Sequence, residues 1–135
     1  MIVVMQTFTP AEAAERTGFS LDTLRYYEKA GLLGRIRRGA GGRRAYTESD
    51  IEWLGLIRCL RDTGMPIAQL KSYAQLATDD STMDERLALL EQHDREVQAS
   101  IDALLAQQRR LREKIAWYHS EGASAERHLA RSMLA

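Results

Sequence analysis

Arginine dominates the chemistry available in the first third of this chain. The segment GRIRRGAGGRR, residues 34–44, holds five arginines and no acidic residue, although the 135-residue chain has a formal net charge of zero. A local group of guanidinium side chains attracts phosphate, and the whole-chain charge conceals it. The pattern predicts a surface that binds nucleic acid. A merely flexible basic loop is the alternative.

The single cysteine, Cys59, is the other candidate for chemistry. It lies at the margin of the apolar face of a predicted helix, where we expect it to be nearly buried. It is either a structural core residue or a reactive thiol. Arg58 or Arg61 would favour the reactive thiolate, whereas Asp62 and Glu52 would oppose it.

The sequence gives little support for a disulfide, a metal site or an enzyme active site. One cysteine makes neither an intrachain disulfide nor a multi-thiolate zinc site, and His119 and His128 stand nine residues apart in a weakly patterned region. We therefore expect no metal site and no cofactor. The absence of a nucleophile–base pair and of a phosphate-binding loop argues against an enzyme.

Two short helices joined by a tight turn precede the arginine-rich segment. Thr9, Pro10 and Glu12 form a helix start signal, with a capping box and a proline at the first helical position. Gly18 is expected to end this helix in the left-handed conformation. Ser20 is expected to cap a second helix, LDTLRYYEKA, which completes a helix-turn-helix.

The second helix is predicted to divide its side chains between two faces. Leu21, Leu24 and one of the two adjacent tyrosines pack inward in this prediction. Thr23, Arg25 and the other tyrosine face outward, where an arginine can fork to guanine or phosphate and a tyrosine hydroxyl can reach a phosphate. A surface salt bridge is the alternative role of Arg25.

The arginine-rich segment itself is predicted to form a wing, residues about 34–46. Two short strands flank GAGG, since glycines at residues 39, 41 and 42 permit the positive φ angles of a hairpin turn. The arginines beside the tip would press against a DNA backbone. The N-terminal segment MIVVMQTFTP is predicted to contain another short strand.

Two more helices are expected after the wing. Thr47 and Asp50 start a helix that runs roughly over residues 48–63, and its apolar residues cover more than half of its circumference. That pattern predicts burial between two neighbouring elements. Gly64 ends this helix, and Pro66 starts a shorter one, IAQLKSYAQLA.

A long heptad seam follows. From Met83 to Tyr118 apolar residues recur in alternate steps of four and three, interrupted by Asp94 and Gln108, which are expected to fix the register. A helix about 50 Å long cannot bury this seam on residues 1–80, so the seam predicts a homodimer. The tail after the seam would fray or fold back as a short helix. The seam residues are Leu87, Leu90, Val97, Ile101, Leu104, Leu111 and Ile115.

The strings TLRYYEKAGLL and RRAYTESDIEWLGLIRCLRDTGMPIAQL, with a glycine–arginine wing between them, resemble the MerR family of bacterial transcription regulators over residues 5–118. The resemblance implies a mainly α fold. It comprises a winged helix-turn-helix DNA-binding domain (1–80) with two helix-turn-helix units, a dimerisation helix (81–119) that forms an antiparallel coiled coil, and a C-terminal tail (120–135). The implied partners are a second copy, double-stranded promoter DNA with a pseudo-palindromic site, and RNA polymerase, whose two promoter elements are realigned by DNA distortion.

The resemblance also assigns DNA contacts residue by residue. Thr23, Arg25 and Tyr26 match the contacts of the family's recognition helix. Where many members have Gly-Tyr-Arg in the wing, this chain has a glycine and two arginines, so charge replaces one aromatic contact. The wing contacts are Arg37, Arg38, Arg43 and Arg44.

A narrower branch of the family, the AdhR/NmlR-like regulators, carries one cysteine in a string similar to DIEWLGLIRCLRDTGMPI. This implies that Cys59 reacts with carbonyls such as formaldehyde and methylglyoxal, or with thiol-modifying agents. Two alternatives stay open. One is a family member with a small non-covalent effector and a structural Cys59, and the other is an architectural or recombination accessory protein.

No apolar run approaches the roughly 20 residues that a membrane-spanning helix needs. The sequence therefore predicts no membrane partner and a cytosolic location.

Overall fold

The computed structural model describes residues 6–34, 36–120 and 122–134; the first five residues of the predicted N-terminal strand and the wing residue Arg35 lie outside them. The described chain is mainly α-helical, as predicted. Its helices are α1 (Pro10–Thr17), α2 (Leu21–Lys29), α3 (Glu48–Asp62), α4 (Ile67–Leu76), α5 (Met83–His119) and α6 (Gly122–Leu134). Its strands are β1 (Thr7–Phe8), β2 (Arg37–Arg38) and β3 (Arg44–Thr47).

The three strands form one small antiparallel sheet in the order β1-β3-β2. Arg38 pairs with Arg44 on the wing side, and Phe8 pairs with Tyr46 on the other. Both Phe8 and Tyr46 are buried, so the sheet anchors the wing in the core. The predicted wing hairpin is confirmed.

Local hydrogen bonds set where the helices begin. At α1 the Thr9 backbone N–H donates to Glu12 Oε1 at 3.0 Å, and the Glu12 N–H donates to Thr9 Oγ1 at 3.2 Å. These bonds, the backbone one first, lower the pKa of the Glu12 carboxyl. Thr47 and Asp50 form the same reciprocal pair at α3, at 2.8 and 3.1 Å. Both predicted capping boxes are confirmed.

The core lies between α1, α2, the sheet, α3 and α4. Leu54, Ile57 and Leu60 of α3 are buried in it, which confirms that this helix packs against more than one neighbour. The Trp53 indole N–H donates to the Leu32 carbonyl at 2.7 Å, and its ring stacks on Tyr73 with centroids 5.5 Å apart. Trp53 thereby fastens α3 to α4 and to the chain before the wing.

The chain divides into two compact units, Met1–His93 and Asp94–Ala135. The first includes the beginning of α5, since Leu89 and Leu90 pack against the core and His93 is buried. Leu90 was predicted to be a residue of the dimer seam. In the single chain it is partly buried against the core, because it lies where α5 still packs on the first unit.

Within the second unit, α6 packs against the end of α5. Gly122 touches the Trp117 ring so closely that an added Cβ would lie 2.2 Å from Trp117 Cε2. Lys114 Nζ pairs with Glu126 Oε1 at 3.0 Å. Hydrogen bonds from Tyr118 and then Lys114 hold the pKa of the Glu126 carboxyl below its ordinary value. Of the two outcomes expected for the tail, the structure has the folded-back helix.

Candidate nucleic-acid interface

The orientation of α2 is fixed by its cap and by two buried side chains. Ser20 Oγ accepts a hydrogen bond from the Thr23 backbone N–H at 3.1 Å, which satisfies a donor that the helix start leaves unpaired. Leu24 and Tyr27 are buried, and Tyr27 packs edge-on against Phe19 with centroids 5.2 Å apart. With one face held in this way, the opposite face of α2 projects from the domain.

The projecting face carries most of the side chains that the sequence predicted there. Tyr26 is 53% exposed and Tyr27 only 4%, which identifies Tyr26 as the outward tyrosine. The expectation that Leu21 packs inward is wrong, because its side chain is 41% exposed. Leu21 is the first residue of the helix, and the buried face of α2 begins one turn later, at Leu24.

Arg25 and Thr23 are both able to reach a ligand from this face. Arg25 Nη1 lies 4.0 Å from Asp22 Oδ1, and both side chains are largely exposed. Such a pair contributes little energy and leaves the guanidinium available. The Thr23 hydroxyl accepts a hydrogen bond from Ser20 Oγ at 2.9 Å, so its own hydrogen can be donated to a phosphate oxygen.

Glycine shapes the tip of the wing. Gly41 and Gly42 have φ angles of 78° and 73°, in the left-handed region that favours glycine. Gly39 was expected to share this role, but its φ is −86°. The Gly39 N–H donates to the Arg43 carbonyl at 2.7 Å and closes the hairpin.

Three of the four predicted wing arginines are exposed, namely Arg37, Arg38 and Arg43. Arg38 Nη1 donates to the Gly42 carbonyl at 3.0 Å, which holds its guanidinium across the tip. Arg44 differs. Its Nε pairs with Glu28 Oε2 at 2.5 Å, and its side chain is only 28% exposed. Arg44 therefore connects β3 to the recognition helix and is less open to DNA than the sequence predicts.

The buried ring of Tyr46 lies near the Glu28–Arg44 ion pair. Tyr46 is 1% exposed, and its burial, followed by the nearby Glu28 carboxylate, raises the pKa of its phenol. The hydroxyl therefore stays uncharged at neutral pH. The Glu28–Arg44 pair and Tyr46 together set the position of the wing relative to α2.

Cys59 is exposed, contrary to the expectation of a nearly buried side chain. The helical repeat places it beside the apolar face of α3, but the neighbouring elements do not extend over it. Its backbone carbonyl accepts a hydrogen bond from Thr63 Oγ1 at 2.7 Å. Exposure removes one objection to a reactive thiol and weakens the alternative of a structural core cysteine.

The arginine before Cys59 holds α3 to the end of α1. Arg58 Nη1 donates to the Thr17 carbonyl, and Arg58 Nε donates to Asp62 Oδ2 at 3.3 Å. Gly18 leaves the space that this guanidinium occupies, since a Cβ there would lie 1.6 Å from Arg58 Nη1.

The arginine after Cys59 reaches the recognition helix. Arg61 Cζ lies 4.8 Å from the centre of the Phe19 ring, and its Nε and Nη2 donate to Asp62 Oδ1 at 3.1 and 2.9 Å. Hydrogen bonds to Asp62 and then to Tyr27 raise the pKa of the Arg61 guanidinium. Both arginines that the sequence places beside the thiol are thus engaged with other groups.

A hydrogen-bonded histidine links α3 to α5. Thr63 Oγ1 lies 2.7 Å from Nε2 of the buried His93. The same Thr63 hydroxyl also lies within hydrogen-bond distance of the Cys59 and Leu60 carbonyls, so it connects the end of α3 to α5. Sequence patterning missed His93, since a histidine on a long polar helix face gives no signal until its partner is known.

Most of the predicted seam is exposed in the single chain. Leu87 is exposed near the start of α5, and the later seam residues Ile101, Leu104, Leu111 and Ile115 are exposed as well. Val97 is half-buried. Exposed aliphatic residues in a regular heptad pattern are expected of a helix that pairs with another helix.

The described residues contain no group of three or more His, Cys, Asp or Glu side chains that could hold a metal ion. In the same ranges, none of the helices combines the length and apolar character that crossing a membrane requires.

Two family models match the chain. The model described as MerR HTH family regulatory protein matches residues 8–76, and the model described as MerR, DNA binding matches residues 51–114. The first covers α1 to α4 and the wing, and the second covers most of α3, all of α4 and most of α5.

Individual proteins agree with these matches. An uncharacterised HTH-type transcriptional regulator of Haemophilus influenzae is 40% identical over 113 residues, which cover 83% of this chain and 84% of that protein. The HTH-type transcriptional regulator AdhR of Bacillus subtilis is 40% identical over 81 residues, 59% of this chain and 58% of AdhR. The crystal structure of HiNmlR, a MerR family regulator lacking the sensor domain, bound to promoter DNA, superposes with a TM-score of 0.79. It is 39% identical, and the match covers 87% of this chain and 94% of HiNmlR.

Proposed function

Because the chain belongs to the MerR family of DNA-binding transcription regulators, we propose that it binds a pseudo-palindromic promoter site as a homodimer and changes the shape of the DNA to control transcription. One observation carries this proposal: the outward face of α2, with Arg25 and Tyr26, and the exposed wing arginines belong to one compact unit. Phosphate contacts of this kind position a protein on DNA, and base contacts from the helix specify the site.

The exposed seam of α5 supports the homodimer. Leu104 and Leu111 are 71% and 60% exposed, and burying such side chains against a second copy is favourable by roughly 25 cal/mol per Å² of apolar surface. In the antiparallel coiled coil that the family implies, the two DNA-binding domains of the dimer contact two half-sites at a fixed spacing. Bending or twisting the DNA between the half-sites costs energy, which the phosphate contacts offset. RNA polymerase is the partner that would respond to the altered promoter.

Cys59 is the proposed sensor of reactive carbonyls or thiol-modifying stress, and its exposure supports access by an electrophile. With formaldehyde, the sulfur lone pair forms a C–S bond as the C=O π bond breaks. The thiol proton ends on the former carbonyl oxygen, which gives an S-hydroxymethyl group with no oxidant and no leaving group. The thiolate is the attacking form of a cysteine side chain.

The neighbours of Cys59 supply a route from the thiol to the DNA-binding surface. Arg58 and Arg61, on either side of it, bind the end of α1 and the Phe19 ring. Thr63, one turn later, joins the Cys59 carbonyl to His93 of α5. A displacement of this turn of α3 would therefore be felt both by the helix-turn-helix and by the dimerisation helix.

Footprinting on the DNA upstream of the chain's own gene tests the regulator proposal. We expect one protected pseudo-palindrome with a distorted centre. Arg25→Ala should abolish specific binding, and Arg38→Ala should weaken binding to all sequences and lower the slope of log affinity against log salt by about one. Protection without sequence preference would favour an architectural protein, and no binding would refute the proposal.

The sensor proposal is tested by Cys59→Ser, which keeps the size of the side chain but removes the thiol. The variant should bind the promoter like the unmodified protein and lose the transcriptional response to formaldehyde. An in vitro transcription assay with purified polymerase measures the response, and intact-protein mass spectrometry measures the adduct. A serine variant that still responds fully would assign the response to another group.

A further inference from the structure

Leu21 is an exposed leucine at the start of the recognition helix, and neither the core nor the predicted DNA contacts account for it. It directly follows the capping residue Ser20 and is 41% exposed. The buried face of α2 is already occupied by Leu24 and Tyr27. In a helix-turn-helix, the N-terminal residues of the recognition helix contact base edges in the major groove.

The helical repeat places Leu21 on the DNA-facing side of α2. It lies four residues before Arg25, so both side chains lie on the same face of the helix. At about 100° per residue, the exposed side chains of α2 fall within an arc of about 140°. These residues are Leu21, Asp22, Arg25, Tyr26 and Lys29. Leu21 is the aliphatic residue of this face, at one edge of a group that includes two cations.

The chemistry of a leucine side chain restricts what it can recognise in DNA. It has no hydrogen-bond donor or acceptor, and the apolar group that bases present in the major groove is the C5-methyl of thymine. We propose that Leu21 is a specificity-determining residue that packs against a thymine methyl in each half-site, with Arg25 beside it contacting a neighbouring base or phosphate. This inference rests on the proposed DNA-binding function and assigns it a base preference.

Replacing thymine with deoxyuridine removes only the methyl group and therefore tests the contact directly. Each thymine of the footprinted site is replaced in turn in both half-sites, and affinity is measured by fluorescence anisotropy at fixed salt. Burial of one methyl group is worth about fourfold in affinity, so the symmetric pair at the contacted position should cost about 16-fold.

The variant Leu21→Ala completes a double-mutant cycle. We expect it to bind thymine DNA more weakly by a similar factor and to lose its sensitivity to deoxyuridine at that one position, while other positions behave as before. Leu129→Ala, at an exposed leucine of α6, is the matched control and should leave both affinities unchanged. Circular dichroism checks that Leu21→Ala keeps its helical content.

The outcomes separate this inference from the function on which it rests. If the unaltered protein binds a specific site but Leu21→Ala keeps full sensitivity to deoxyuridine at every position, the thymine contact is refuted and the regulator proposal stands. If the unaltered protein has no specific site on its promoter, both are refuted.

Discussion

Replacing Gly18 with alanine should destabilise the protein more than the same change at Gly31, although the two glycines have nearly the same φ. Gly18 has a φ of 77° and Gly31 a φ of 78°. An added Cβ meets no described atom within 4 Å at Gly31, whereas at Gly18 it would lie 1.6 Å from Nη1 and 2.7 Å from Cζ of Arg58. Gly18→Ala must therefore move the Arg58 guanidinium, which donates to the Thr17 carbonyl.

The magnitude follows from two contributions. A left-handed alanine costs about 1–2 kcal/mol at either position. Losing a hydrogen bond from a charged group costs about 1.5–3 kcal/mol when it is buried. Here the cost is about 1 kcal/mol, because the Arg58 side chain is 43% exposed and water replaces part of the bond. Gly31→Ala should thus cost about 1–2 kcal/mol and Gly18→Ala about 2–3 kcal/mol.

Urea denaturation measures both values by linear extrapolation. Protomer concentration must be the same throughout, because the stability of a dimer depends on it. In an Arg58→Ala background the two glycine substitutions should cost the same, since there is no guanidinium left to displace. Equal costs with Arg58 present would refute the reasoning and show that its contact with Thr17 adds nothing to stability.

Three further predictions concern the wing, the seam and acid stability. Glu28→Gln removes the carboxylate that holds Arg44 and frees its guanidinium to contact a phosphate. The variant should discriminate less between specific and non-specific DNA, and the slope of log affinity against log salt should steepen by about one. A salt titration with an unchanged slope would contradict this. Leu104→Asp should convert the proposed dimer to monomers in sedimentation velocity. Ala106→Asp, exposed on the same helix but off the heptad seam, should remain dimeric, and two dimeric variants would place the interface elsewhere. Hydrogen bonds from Arg61 and then Arg58 lower the pKa of the Asp62 carboxyl. The stability that this carboxylate contributes is therefore present above its pKa in the unfolded chain and is lost as pH falls through its pKa in the folded protein. Asp62→Asn should flatten the acid side of the stability–pH profile, and an unchanged profile would rule out this contribution.

The sequence predicts correctly the features whose deciding interaction is local. The capping boxes at α1 and α3 each join residues three positions apart, so the sequence contains both partners of every bond. Gly18 ends α1 in the left-handed conformation for the same reason, since a short backbone bond to the Ala14 carbonyl closes the turn. The long helix α5 is predicted for a related reason, since the period of its apolar residues is a property of one helix.

The sequence does not predict contacts whose partner is distant along the chain. Arg44 looks like its wing neighbours in sequence, yet Glu28, 16 residues earlier, takes its guanidinium. Leu21 has the residue type of a core position, yet it is exposed. The angular position of a residue on a helix does not show how far the neighbouring elements extend over it.

The exposure of Cys59 changes how a sensor at this position would work. A nearly buried thiol would act by overpacking the core, at a cost of about 1–3 kcal/mol. An exposed thiol has no such cost, so its adduct must act through the groups that share its helical turn or through the second copy of the chain. Arg58 and Arg61 tie that turn to the helix-turn-helix, and Thr63 ties it to His93 of α5. A sensor at Cys59 would therefore act through these polar contacts. The size of the adduct would matter less than whether it replaces the present partners of Arg58 and Arg61.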